Sequence, residues 1–291
     1  MLARQFSHIL AGLRSGQVVP YLGPEVLEDV THPETGVPIP AADEPLILAM
    51  TEGRPISPKL MTEFPRAAMH FELKKGRRFL SSFLTRIYDS PWSGGAVHQW
   101  LSSLDLPYVI DTNRDLVLQH HYANRRHTLV AGVARIMASD YRFRIWEYDG
   151  SAYREVGPDT ANPNLPILFK PLGTPSPEPT YIASDADFVD YITELMGGFA
   201  VPSFVKRWRQ GKQYLIAGVR FKRDTQRMIF SDIVVDADIP AGWAFIPEPT
   251  AKERRYCQSK HIEILECTIV DLLRAARSQP SWEPAEAMLA G

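Results

Sequence analysis

Two carboxylates, a threonine, an asparagine and an arginine occupy five consecutive positions, Asp111-Thr112-Asn113-Arg114-Asp115, directly after the apolar run Leu106, Tyr108, Val109 and Ile110. A buried strand that ends in such a turn and opens into a helix is where α/β proteins hold a nucleotide or an anion. Free backbone N–H groups and short polar side chains gather there. Asn113 is the side chain with the strongest claim to ligand contact. Thr112 and Asn113 also read as caps of a helix over residues 114–120, satisfying its first amides, and the two roles are compatible. A salt bridge between Arg114 and Glu25, at the same mouth, is a further expectation.

Other chemistry-bearing residues are sparser. His120 and His121 adjoin the end of that helix with His127 close by, but neighbouring helical residues diverge by about 100° and no Asp, Glu or Cys stands at ligand spacing, so no metal site is expected. Only Cys257 and Cys267 are present, with no C-x-x-C pair, which argues against structural zinc and for reduced thiols in a cytoplasmic protein. Lys74, Lys75, Arg77 and Arg78 form a local basic run that reads either as a solvated helix end or as a contact for a phosphate or acidic partner. With 32 basic and 34 acidic residues the net charge is −2, so nothing supports nucleic-acid binding across the whole chain. No stretch approaches the roughly 20 apolar residues of a membrane span, and residues 1–16 lack the apolar core of a signal peptide.

The central pentapeptide resembles the T-T-N-Y-D segment of the bacterial sirtuin-like family, relatives of the NAD-dependent deacylases. Four more stretches follow in that family's order: Val18-Val19-Pro20-Tyr21-Leu22-Gly23-Pro24-Glu25-Val26, Ala96-Val97-His98-Gln99-Trp100-Leu101, Phe169-Lys170-Pro171-Leu172-Gly173, and Leu215-Ile216-Ala217-Gly218 running to Asp224. The resemblance covers roughly residues 5–277. It implies a cofactor-binding set of Gly23, Thr112, Asn113, Asp115, Gly173, Gly218 and Asp224, with NAD as the implied cofactor and Asn113 as the implied catalytic contact. The departures fall on the same implied pocket. Pro24 and Glu25 stand where the family turns through G-A-G, Arg114 replaces an aromatic, and Leu172 replaces the histidine base of K-x-H-G. Leucine accepts no proton. His98 falls on the family's V-H-R-x-L histidine and reads as structural, packing its helix.

The elements that must position these residues follow from periodicity. Helix 3–14 leads into strand 18–22. Residues 31–95 form an insertion, proline-rich at first and then carrying two helical patterns separated by Gly76. A helix over 96–104 precedes the central strand. Strands are expected over 128–137 and through a hairpin at 142–156 that turns at Asp149-Gly150, a strong hairpin signal, and projects from the main sheet. Strand 167–170, helices 185–196 and 202–210, and strand 214–218 come next, with Ser184 and Asp187 spaced as a capping box. Strand 243–246, helix 251–260, strand 262–266 and helix 269–277 close the pattern. Alternation at this spacing predicts a three-layer α/β fold with a mainly parallel central sheet, of the dinucleotide-binding, sirtuin-like type by resemblance. Residues 1–277 read as one domain and 278–291 as a loose tail.

Three readings of function follow. One is a catalytically impaired sirtuin-like protein that binds an NAD-like nucleotide or a protein partner in a regulatory role. Another is an active NAD-cleaving hydrolase or deacylase, of a family in which some members act in antiphage defence. The last is a structural or assembly subunit, a homo-oligomer included, using the 142–156 hairpin and Trp146 as an interface.

Overall fold

A computed structural model of the protein describes residues 2–135 and 141–278. Its strands are β1 (Val18–Leu22), β2 (Tyr108–Asp111), β3 (His127–Gly132), β4 (Phe143–Tyr148), β5 (Tyr153–Glu155), β6 (Ile167–Lys170), β7 (Gly173–Thr174), β8 (Thr180–Tyr181), β9 (Gln213–Ala217), β10 (Gly242–Phe245) and β11 (Ile262–Leu265). Nine of them form one sheet in the order β11-β10-β9-β1-β2-β6-β3-β4-β5, and β7 and β8 pair separately. From β11 to β3 every pairing is parallel. The last two strands are antiparallel.

Parallel strands need both faces covered, and the side-chain alternation of these strands sorts into two apolar layers. Val18, Leu22, Val109, Leu168, Leu215 and Trp243 pack into one, with the N-terminal helix Leu2–Arg14, the helices between 43 and 102 and the last helix, Ile269–Arg277. Val19, Tyr21, Ile110, Phe169, Ile216 and Ala244 pack into the other, with the helices Asp185–Met196, Ser203–Trp208, Asp224–Ile233 and Ala251–Ser259. The result is the expected three-layer arrangement.

The chain leaves β1 toward β2 on one side, while β9 leads to β10 on the other, so β1 and β9 flank the point where the strand order reverses. Open α/β sheets bind ligands outside the strand carboxyl ends at such a point.

Two expectations are corrected. The 142–156 hairpin does not project: β4 runs beside β3 in register from His127↔Tyr148 to Gly132↔Phe143 and extends the main sheet. Helix 114–120 begins later, at Val117–His121, because residues 112–116 form a turn closed by the Asp115 carboxylate. The strand expected over 128–137 is β3, and its end at Met137 lies outside the described residues, as do residues 279–291 of the tail. One helix, Asp224–Ile233, has no counterpart among the sequence-based expectations.

Candidate functional site

Strand β2 ends one residue later than its apolar run suggests, at Asp111, and this places the carboxylate. Asp111 follows Ile110, which is paired with Phe169 of β6, and Lys170 follows Phe169. Both side chains therefore leave the sheet on the same face at the carboxyl ends of adjacent strands. Lys170 Nζ donates to Asp111 Oδ2 at 2.7 Å with neither side chain exposed to solvent. A buried ion pair persists only where its remaining polar atoms are also satisfied. Asp111 Oδ1 accepts from the Asn113 backbone N–H at 3.0 Å and from Asn113 Nδ2 at 2.9 Å.

The second hydrogen of that amide goes to the Gly23 carbonyl at 3.1 Å, and Asn113 is 5% exposed. Only its Oδ1 remains for chemistry. Asp115, fully buried, accepts the Val117 N–H at 2.9 Å through Oδ1, while Oδ2 has no hydrogen-bond partner among the described residues. Burial raises its carboxyl above the ordinary range, with Lys170 opposing. His98, on the helix Ala96–Ser102 over this face, is also fully buried, with neither ring nitrogen hydrogen-bonded among the described residues. Burial lowers its imidazole, against the pull of Asp111 and Asp115, and so favours the neutral ring.

Thr112 ties the same turn to β1, its N–H and Oγ1 both donating to the Leu22 carbonyl at 2.9 and 2.7 Å. The helix after the turn is thus capped by Asp115, not by Thr112 or Asn113. The expected bridge between Arg114 and Glu25 is also absent. Arg114 Nε donates to the Ile182 carbonyl at 3.0 Å and its guanidinium lies over the Phe64 ring, whereas Glu25 stands 3.8 Å from Arg220.

The loops after β1 and β9 close on each other. Gly23 N–H donates to the Ala217 carbonyl, Glu25 N–H to the Gly218 carbonyl and Val26 N–H to the Gly23 carbonyl. A Cβ on Gly23 would lie 2.5 Å from the Gly218 oxygen. One on Gly218, which has φ +70°, would lie 2.6 Å from Val26 N. Glycine is required at both places by the approach of one loop to the other.

Of the seven residues implied for cofactor binding, Gly23, Thr112, Asn113, Asp115 and Gly218 share this one junction. Gly173 and Asp224 stand apart. Gly173, φ +90°, is held by the β7–β8 pairing, where a Cβ would clash with the Thr180 carbonyl. Asp224 has an 83% exposed side chain and pairs with Arg227 at the start of its helix. Leu172, in place of a base, packs against the second apolar layer. His120 is exposed, and His121 Nε2 contacts the Gly94 carbonyl at 3.2 Å.

Beside the junction lies a cavity of about 620 Å³. Val26, Val97, Phe245, Pro247, Ile269 and Leu273 make its apolar walls, and Glu25, Glu28 and Asp29 bring carboxylates to it. Burial raises the Glu25 carboxyl, with Arg220 opposing. Sequence reasoning reached the Glu25 and Gly218 sides of this cavity but missed the wall from the last helix, whose signal is the capped start Thr268–Asp271 directly after β11. Among the described residues no group of three or more His, Cys, Asp or Glu is placed to hold a metal ion, and no helix is long and apolar enough to cross a membrane.

A family model described as a SIR2-like domain matches residues 107–265, just over half of the chain. No curated protein sequence matches it.

Proposed function

The chain belongs to the SIR2-like domain family, and on that premise we propose that it binds an adenine-bearing ligand in a regulatory role without cleaving NAD. The observation that carries this reading is the closed state of Asn113. The asparagine that the resemblance makes the catalytic contact donates both amide hydrogens to the protein and sits against the buried Asp111–Lys170 pair. Leu172 adds no proton acceptor beside it. General-base chemistry needs a group of suitable pKa within hydrogen-bond reach of the proton it takes, and His98 is engulfed while His120 and His121 lie at the far end of their helix.

The cavity supports ligand binding independently of that centre. Its volume falls in the range of small-molecule sites, and its position outside β1, β9 and β10 is where a parallel sheet offers a crevice.

The test is a thermal-stability panel of the full chain with adenosine, AMP, ADP and NAD, with nicotinamide followed in the NAD sample. Stabilisation by at least one compound is expected, lost in Val270→Trp, which fills the cavity from a residue 51% exposed. No nicotinamide should appear. Release of nicotinamide, or no stabilisation by any compound, overturns the reading.

A further inference from the structure

A dinucleotide site on a sheet of this kind holds the pyrophosphate with free amides in the turn after the first strand, helped by the positive end of a helix. None of the turn amides is free here. Gly23 N–H is bonded to the Ala217 carbonyl at 2.9 Å, Glu25 N–H to the Gly218 carbonyl at 3.2 Å and Val26 N–H to the Gly23 carbonyl at 3.2 Å, and Pro24 has no N–H to offer.

The helix that opens into the cavity is compensated from within. Asp271 Oδ2 accepts from Thr268 N–H and Oγ1, both at 3.0 Å, which places a carboxylate on the positive end of the helix dipole. Arg274 is engaged by the other oxygen of Asp271 at 2.9 Å. Arg220, next to Glu25, is held by Glu253 at 2.8 Å. Arg277 alone among the cavity's cations has no carboxylate partner among the described residues, and it lies at the exposed rim.

Facing that rim are Glu25, Glu28 and Asp29. Asp29 Oδ2 accepts the Ala96 N–H at 2.7 Å, which leaves its second oxygen open, and Glu28 is exposed. Carboxylates repel phosphate in a partly desolvated pocket and accept hydrogen bonds from hydroxyls.

From the spent amides and the acidic wall together, we infer that the cavity takes a phosphate-free nucleoside, its base against the apolar walls and its ribose hydroxyls toward the carboxylates. This rests on the ligand-binding reading above and names the class of ligand.

The experiment is calorimetric titration of the full chain with adenosine, AMP, ADP and NAD at matched salt. Adenosine is expected to bind about tenfold more tightly than ADP, a difference of about 1.4 kcal/mol, with AMP between. In the Glu25→Gln/Glu28→Gln variant that preference should shrink while adenosine still binds. ADP or NAD binding as tightly as adenosine or more so, without nicotinamide release, overturns the nucleoside inference and leaves the non-cleaving reading standing. Nicotinamide release overturns the reading itself. Binding of none of the four removes both.

Discussion

The buried group of Asp111, Asn113, Asp115, Lys170 and His98 holds two carboxylates but only one lysine, and this asymmetry makes the energetics testable. Lys170→Met leaves both carboxylates buried without a cation, which costs about 3–5 kcal/mol. Asp111→Asn leaves Lys170 with Asp115, whose carboxyl already feels it, so its loss should be clearly smaller. Urea denaturation of the two variants checks the order, and a greater loss in Asp111→Asn contradicts the account.

A second residue-scale prediction concerns His127. Its Nδ1 faces the Arg125 carbonyl at 2.8 Å and so carries the proton, and its Nε2 then accepts from the Tyr153 hydroxyl at 2.8 Å. Burial pushes the ring from 6.5 to about 4. A folded pKa below the unfolded one means that stability is complete above about pH 6.5 and is lost as pH falls toward 4. Between pH 7 and 5 the loss from this group is about 2 kcal/mol. Denaturation curves at the two pH values should show it in the wild type and a flatter dependence in His127→Gln. An unchanged slope in the variant refutes the assignment.

At the scale of elements, Asp187 joins two parts of the fold. It accepts the Ala183 and Ser184 amides at 2.9 and 3.0 Å as part of the Ser184–Asp187 capping box, and it meets Arg77 at 2.6 Å and Arg135 at 2.7 Å. Arg77, part of the basic run that reads as a solvated helix end or a phosphate contact, is in fact an intramolecular clamp, and Glu72 is its second partner. Asp187→Ala should cost about 2 kcal/mol or more, since two half-exposed guanidiniums that keep Glu72 lose charge-assisted bonds to a buried carboxylate, against about 1 kcal/mol for a lost cap alone. A loss near the lower value in chemical denaturation means that the clamp contributes nothing.

The capping box itself was legible because it needs only two residues at fixed spacing. So were β1, the hairpin turn at Asp149-Gly150 and the last helix, each marked by local periodicity or turn chemistry. The carboxyl end of β2 was not, because a polar residue at the end of an apolar run looks like turn until its partner is known. Lys170 is 59 positions from Asp111, and nothing local brings them together. The attachment of the hairpin to β3 is likewise a long-range pairing, invisible to alternation within the hairpin. Helix Asp224–Ile233 bunches its apolar residues at Met228, Ile229 and Phe230 with Ile233 beyond, a run without clear helical spacing among its polar and charged neighbours.

For the whole molecule, one sheet combines strands of the matched segment with a strand outside it. β1 lies outside the family match yet sits between β2 and β9, both within it. The turn after β1 consequently shapes the carboxyl rim, and its amides are bonded to Ala217 at the end of β9, to Gly218 after it and to its own Gly23. Five implied site residues were legible as neighbours because the family order of motifs places them on adjacent strand ends. The bonds of Asn113 to the Gly23 carbonyl and of Thr112 to the Leu22 carbonyl depend on register and burial, which no motif spells out. Trp146, read as an interface residue, is only 4% exposed and packs in the core, so it offers no surface for assembly.

The central claim is that the asparagine implied for NAD cleavage is held by the protein's own groups and cleaves no NAD. Single-turnover incubation of NAD with the full chain in molar excess, with free nicotinamide quantified over hours, tests it most directly because even a slow first turnover becomes visible. The account predicts no nicotinamide above a protein-free control. Its appearance in proportion to protein, and its loss in Asn113→Ala, would contradict the account and make Asn113 a working catalytic residue.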